Sequence, residues 1–298
     1  MSAEPRARQK ASGIDVGARS RPSTRLRSTM IYISCALVAV ITVCPFVWML
    51  STAFKLPNDV ITLPPKLIPS PFVLDNYESL FNSSDILPFA RFIGNSAYIA
   101  VVVIIGRLAI CALAAYGFAR LTFRGRDLAF GMLLASLMIP DMLMVIPLYS
   151  AYVQSGLIDT HFPLIVPPIM ANTFGTFLLR QFFMSIPKEY EEAAIIDGAS
   201  HFRIFFSIIL PLSKPALATL AVLTFVNTWN DFFTPLIYLS DVNKFTLPAG
   251  LAFFQSSETT QYGPLMAGAA VAVVPVIVIF MAAQKYFTRG ITMSGLKF

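Results

Sequence analysis

The sequence predicts an all-α membrane protein with six transmembrane helices. Of its 298 residues, 56% are hydrophobic and only 13% are charged, about half the share of charge in an ordinary soluble domain. Mean hydropathy is +0.69. The apolar residues gather into separate runs, several long enough to cross a hydrocarbon core that a helix spans in about 20 residues. A chain in lipid must satisfy its own backbone hydrogen bonds, and for runs of this length that means helices.

Residues 1–29 hold Arg6, Arg8, Lys10, Arg19, Arg21, Arg25 and Arg27 among small residues and proline, and read as a disordered basic tail. Residues 30–91 comprise a first span, 30–52, and a loop. The span carries no charge and lacks a small-x-small cleavage site near its end, so it reads as a retained helix rather than a signal peptide. The loop from 53 is rich in proline, which predicts irregular structure with one short helix near Tyr77 to Leu80. Residues 92–287 form the core, with spans at 92–119, 128–149, 162–179, 215–238 and 264–284. Residues 288–298 form a short tail. Prolines 45, 140, 147, 167, 168, 235 and 275 lie in these runs and predict kinks.

An even number of spans puts both termini on one side. On that side fall seventeen Lys and Arg, including those of the 120–126 and 180–214 loops. Only Lys55, Lys66, Arg91 and Lys244 fall on the other. The basic excess marks the cytoplasmic side, so both termini and the loop 185–214 are expected in the cytoplasm. On this reading the net charge of +6 and the pI near 9.3 belong to cytoplasmic loops and imply no nucleic-acid partner. Cys35, Cys44 and Cys111 lie inside apolar runs, and His161 and His201 are the only histidines. No metal site or disulfide framework is implied. No phosphate-binding GxxxxGK[ST] pattern occurs, so no cofactor is expected on this chain.

The loop 185–214 carries the densest polar message. Glu192-Ala193-Ala194 is followed by Asp197-Gly198-Ala199, then by Ile208 and Leu210-Pro211. Amphipathic and bent, it suits docking of a soluble partner better than burial in lipid. The spacing matches EAA-x3-G-x9-I-x-LP and resembles the EAA motif of binding-protein-dependent ABC importer permeases. Asn95-Ser96, the run Ala114 to Arg120, Ile139-Pro140 and Thr228-Trp229-Asn230 are similar to the carbohydrate-uptake (maltose-type) branch. The terminal Gly290-Ile291 and Ser294 to Lys297 resemble its shorter six-span subunit. The resemblance covers the chain from about residue 30.

The resemblance implies a type I ABC importer permease fold in the bacterial or archaeal inner membrane. It implies four kinds of partner: a second homologous permease, two cytoplasmic ATPase subunits that bind ATP and Mg, an extracytoplasmic solute-binding protein, and lipid. The chain itself would be non-catalytic. Glu192, Ala193, Ala194, Asp197, Gly198, Ala199 and Pro211 would form the ATPase-coupling motif, with Glu192 facing a basic residue of the ATPase. Pro187 suits the first turn of a short helix, and Ser200 can cap the next.

Charges at membrane depth usually face a cavity or a partner. Arg107 and Asp141 lie a similar distance from the same end of antiparallel spans and are expected to pair. Asn227, Trp229, Asn230 and Asp231, with Asn172, are candidate pathway or solute contacts, since an aromatic face and amide dipoles suit a sugar. An ion-coupled secondary transporter acting without an ATPase remains the alternative, and it would leave the EAA loop without a purpose.

Overall fold

The computed structural model describes residues 24–82, 87–170, 172–255 and 261–294, in which helices are joined by turns and loops with no extended strand. They fall into two compact units, Met1–Trp48 and Met49–Phe298. The basic tail expected over 1–29 lies outside the described residues up to residue 23. The first unit is the greater part of α1 (Thr24–Ala53). From Met30 onward it is apolar on every face, and inside it Thr42 Oγ1 donates back to the Val38 carbonyl (2.8 Å).

The second unit opens with the end of α1, the single turn α2 (Pro57–Val60) and α3 (Asp75–Asn82). The helix expected near Tyr77 is therefore present. Asn76 holds this entry loop, its Nδ2 donating to the carbonyls of Ala53 and Lys55. Next comes α4 (Phe89–Arg120), which runs the length of the bundle and belongs to both buried clusters. Near its start Phe89, Phe92, Ile99 and Val103 pack with Trp229, Tyr238 and Leu247. Near its finish Cys111, Ala115 and Tyr116 pack with Leu179, Phe183, Ile204, Phe205 and Leu220. Thirty-two residues at about 1.5 Å each separate its two ends by roughly 48 Å.

The third expected span does not continue unbroken over 128–149. It is a pair, α5 (Arg126–Ala135) and α6 (Val145–Gln154), whose arms meet at 83°. The cause is local. Pro140 pushes the residue before it out of the α region, and Ile139 lies extended at φ −87° and ψ 113°.

The fourth span is α7 (Phe162–Met170) followed by α8 (Thr173–Ser185), and it ends at Ser185 rather than at the expected 179. Then come the short helices α9 (Glu189–Ile196), α10 (His201–Ile204) and α11 (Leu210–Leu212), with a π-helical turn at Phe205–Ile209. Pro211 has no N–H to offer the ladder. Just upstream the ladder slips by one residue, and the Leu210 N–H reaches the Phe205 carbonyl. The chain bends by 75° between 201–212 and α12 (Lys214–Trp229).

The fifth span is also interrupted. The turn Asn230–Phe232 parts α12 from α13 (Phe233–Tyr238). After α14 (Leu247–Leu251), the chain closes with α15 (Tyr262–Ser294). Gly250 of α14 sits against α4 so closely that a Cβ there would fall 2.2 Å from the Phe92 ring. Among the described residues, four helices are long and apolar enough to cross a membrane, and the two bent pairs raise the number to six if each is one span.

Candidate functional site

At the Arg120 end of α4 the EAA loop folds into two arms. The first arm is α9, and three carboxylates stand in its opening turn, where the helix dipole favours negative charge. Pro187 lies just outside the helix, before the Lys188 N-cap, rather than in its first turn. The helix ends in a Schellman motif: the Ala199 N–H bonds to the Ala194 carbonyl and the Gly198 N–H to the Ile195 carbonyl, both at 2.9 Å. That closure needs a left-handed residue, and Gly198 has φ +79°. Ser200 Oγ then accepts from the Arg203 N–H and caps the second arm.

The two faces of the loop differ sharply. Inward, Ile204, Phe205 and Ile209 are buried, with Ala194 and Ala199 packed beside them. Outward stand Tyr190, Ile195, Ile196, Phe202 and Phe206, with Ile196 86% exposed. Glu189, Glu192, Ala193 and Asp197 are exposed among them. Of the motif, then, Glu192, Ala193 and Asp197 face outward, while Ala194 and Ala199 support the loop from below. Pro211 is exposed but sets the backbone geometry described above.

Sequence reading missed the contact that fixes this loop. Arg120 Nε lies 2.7 Å from Glu191 Oε1, an ion pair whose side chains are 4% and 13% exposed. Its Nη2 donates to the carbonyls of Phe183 (2.7 Å) and Ile186 (2.6 Å). Glu191 stands beside Glu189 and Glu192, and only the helical phase, which puts 191 with 194 on the inner face, separates it from them. Arg180 reinforces the same end. Its guanidinium lies 4.0 Å over the Phe130 ring, and its Nε donates to the Phe118 carbonyl.

The candidate pathway residues are divided by the fold. Asn172 is 5% exposed and caps α8, its Oδ1 accepting from the Gly175 N–H (2.9 Å). Trp229 is 3% exposed; its indole N–H donates to the Ala272 carbonyl of α15 (3.0 Å) and its ring stacks on Phe225. Asp231 caps the next helix by accepting from the Thr234 N–H. Leu223 and Asn227 lie on the exposed stripe of α12, and Asn230, the C-cap just past it, is exposed as well. Arg107 is half-buried on α4, and the side chain of Asp141, its expected partner, lies outside the described residues. No cluster of metal-ligating side chains occurs among the described residues.

At the opposite end, loop 240–245 is fastened to α4 and to the turn before α7. Asp159 Oδ1 accepts from the N–H groups of Ser240 and Asp241, both at 2.9 Å. Lys244 Nζ lies 2.7 Å from Asp159 Oδ2. Asn95 Nδ2 donates to the carbonyls of Asn243 and Phe245, and Arg91 donates to Asn243 Oδ1. Nearby, a cleft of about 440 Å³ is lined by Lys55, Val60, Asn76, Tyr262 and Pro264.

A helical bundle with helices of membrane-crossing length, bent pairs near Pro140 and Pro211 and a folded loop at one end is that of a multi-pass membrane protein. The chain belongs to the family described as the binding-protein-dependent transport system inner membrane component, whose match spans residues 108–293. It is 33% identical over 279 residues to the arabinooligosaccharides transport system permease protein AraQ of Halalkalibacterium halodurans, covering 93% of this chain and 99% of that one. It is 32% identical over 271 residues to the sn-glycerol-3-phosphate transport system permease protein UgpE of Yersinia pestis, covering 88% and 96%. Its fold matches a chain in the crystal structure of a bacterial ABC transporter involved in the import of the acidic polysaccharide alginate. That match has a TM-score of 0.77 at 23% identity and covers 90% and 98% of the two chains.

Proposed function

We propose that this chain is a permease subunit of an ATP-driven, solute-binding-protein-dependent ABC importer for a sugar or sugar-like solute. The outward face of the 185–213 loop carries the proposal. Exposed Tyr190, Ile195, Ile196 and Phe202 surround Ala193 within a rim of Glu189, Glu192 and Asp197. An apolar face that lies on lipid usually has a basic rim, whereas an acidic rim suits a basic cleft on a soluble partner. Two cytoplasmic ATPase subunits, binding ATP and Mg, would engage this loop and its counterpart on a second, homologous permease. The chain contributes no catalytic group of its own, and hydrolysis belongs to the partners.

In this scheme ATPase closure shifts the loop, and the 75° bend before α12 turns that shift into a movement of the span. Asn227 on the exposed stripe of α12, and Asn230 just past its end, would then face the solute path or the second permease. At the Lys244 end an extracytoplasmic binding protein would deliver the solute. Relatives named for arabinooligosaccharide and glycerol-phosphate transport support a hydroxyl-rich solute.

The test is to purify the chain with its ATPase subunits and reconstitute the complex. Solute uptake should require ATP, and Glu192→Lys should abolish ATPase capture while leaving the permease folded. Uptake by the protein alone in ATP-free vesicles would overturn the proposal in favour of ion-coupled transport. Calorimetric titration of the companion binding protein with oligosaccharides and polyol phosphates would identify the solute.

A further inference from the structure

We propose that Arg120 is a positioning residue that makes the EAA loop move as one body with the ends of α4 and α8. The proposal rests on reading that loop as the ATPase-docking element. A helix ends with carbonyls that have no intrahelical partner. At the end of α8 the Arg120 Nη2 donates to the Ile186 carbonyl at 2.6 Å and, at 2.7 Å, to the Phe183 carbonyl, which also accepts from the Ile186 N–H. Its Nε holds Glu191, the buried carboxylate on the inner face of α9, at 2.7 Å. One planar fork on α4 thus joins the terminus of one span to the first arm of the loop. A lysine, with a single point charge, does not fit three acceptors arranged in this way.

One turn earlier on the same face of α4, Tyr116 holds the second arm. Its hydroxyl lies 3.4 Å from the His201 carbonyl and its ring centroid 5.1 Å from that of Phe205. The last two turns of α4 therefore grip both arms through Tyr116 and Arg120, whose partners here are His201, Phe205, Phe183, Ile186 and Glu191 and not the outward side chains. Weakening the Arg120 contacts leaves the docking face in place but frees it to move without α4. The expected defect is uncoupling rather than failed assembly.

The experiment uses the assembled transporter in proteoliposomes with the Arg120→Lys and Glu191→Gln variants. Two quantities are read: ATPase subunit bound per permease, and solute moved per ATP hydrolysed. Both variants should hold the ATPase at the wild-type level. Solute per ATP should fall roughly tenfold in Arg120→Lys, the scale of one charged hydrogen bond. The fall should be smaller in Glu191→Gln, which keeps the two carbonyl bonds. An unchanged ratio in both variants, with the ATPase bound, overturns this proposal and leaves the docking assignment intact. Loss of ATPase binding in both variants also overturns it, because Arg120 would then only support the docking surface. A wild-type permease that binds no ATPase overturns the docking assignment itself and, with it, this proposal.

Discussion

Asp159 shows how much one residue can hold at the far end of the bundle. It sits in the left-handed region at φ 58°, which Asp tolerates better than most residues. There its carboxylate gathers two backbone N–H groups and the Lys244 ammonium. The Asp241 N–H, then Lys244, then the Ser240 N–H hold its pKa down to about 2, while the same contact raises that of Lys244. A depressed carboxylate stabilises fully above its unfolded value near 3.8 and loses that contribution as pH falls toward 2. Lys244 works in the opposite sense: its contribution is present below its ordinary value and is lost only as pH rises through the elevated one. Asp159→Asn keeps an acceptor and a side chain suited to the turn, and removes the charge. We expect it to cost about 1–2 kcal/mol at neutral pH. Thermal melts in detergent at pH 7, 4 and 2.5 should show the variant losing less stability than the wild type between pH 4 and 2.5. Parallel losses would mean that the charge does not fasten the loop. Nothing in the sequence pointed to this contact, because Asp159 and Lys244 are distant along the chain and each looks like an ordinary loop charge.

At the scale of elements, the geometry of the loop depends on Gly198. A Cβ there would meet nothing within 4 Å, so substitution is governed by backbone conformation and not by crowding. Left-handed backbone costs a residue with a Cβ about 1–2 kcal/mol, less for Asn. Capture of the ATPase subunit should therefore decline in the order Gly, Asn, Ala, Val at position 198. Equal loss in Asn and Val would point to steric exclusion at the partner surface instead. This element was legible in advance because its signals are local: a glycine at the close of a helix, a Ser200 cap, and fixed spacing to Pro211. The interrupted spans were legible only in part. Pro140 and Pro211 announced a disturbance, but whether a proline bends a helix or ends it depends on the residue before it and on what takes up the freed carbonyls. Ile139 went extended; the turn before Pro211 stayed helical by slipping to π geometry. The pathway residues were least legible, since polarity alone does not give rotational phase. Trp229 turned into the bundle while Asn227, on the same helix, and Asn230, just past its end, turned out of it.

For the whole molecule, α4 joins two ends that carry different chemistry about 48 Å apart. At one end lie Arg120, Arg180 and the acid-rimmed loop. At the other a fastened surface is built from Asp159, Asn95 and loop 240–245. On the proposed function, the charge bias, seventeen basic residues against four, would put the first end in the cytoplasm, and a permease worked by a soluble ATPase would require the same orientation. The assignment can be tested with single cysteines placed in a background lacking Cys35, Cys44 and Cys111. Asp197 and Ser240 are exposed, and Ser240 joins the Asp159 network only through its backbone N–H, so both should accept replacement. A membrane-impermeant maleimide added to intact cells should label Ser240→Cys directly and Asp197→Cys only after permeabilisation. The reverse pattern would place the acid-rimmed loop outside the cell, beyond the reach of any ATP-hydrolysing partner. It would remove the physical basis for energy entering through that loop, whatever the fold.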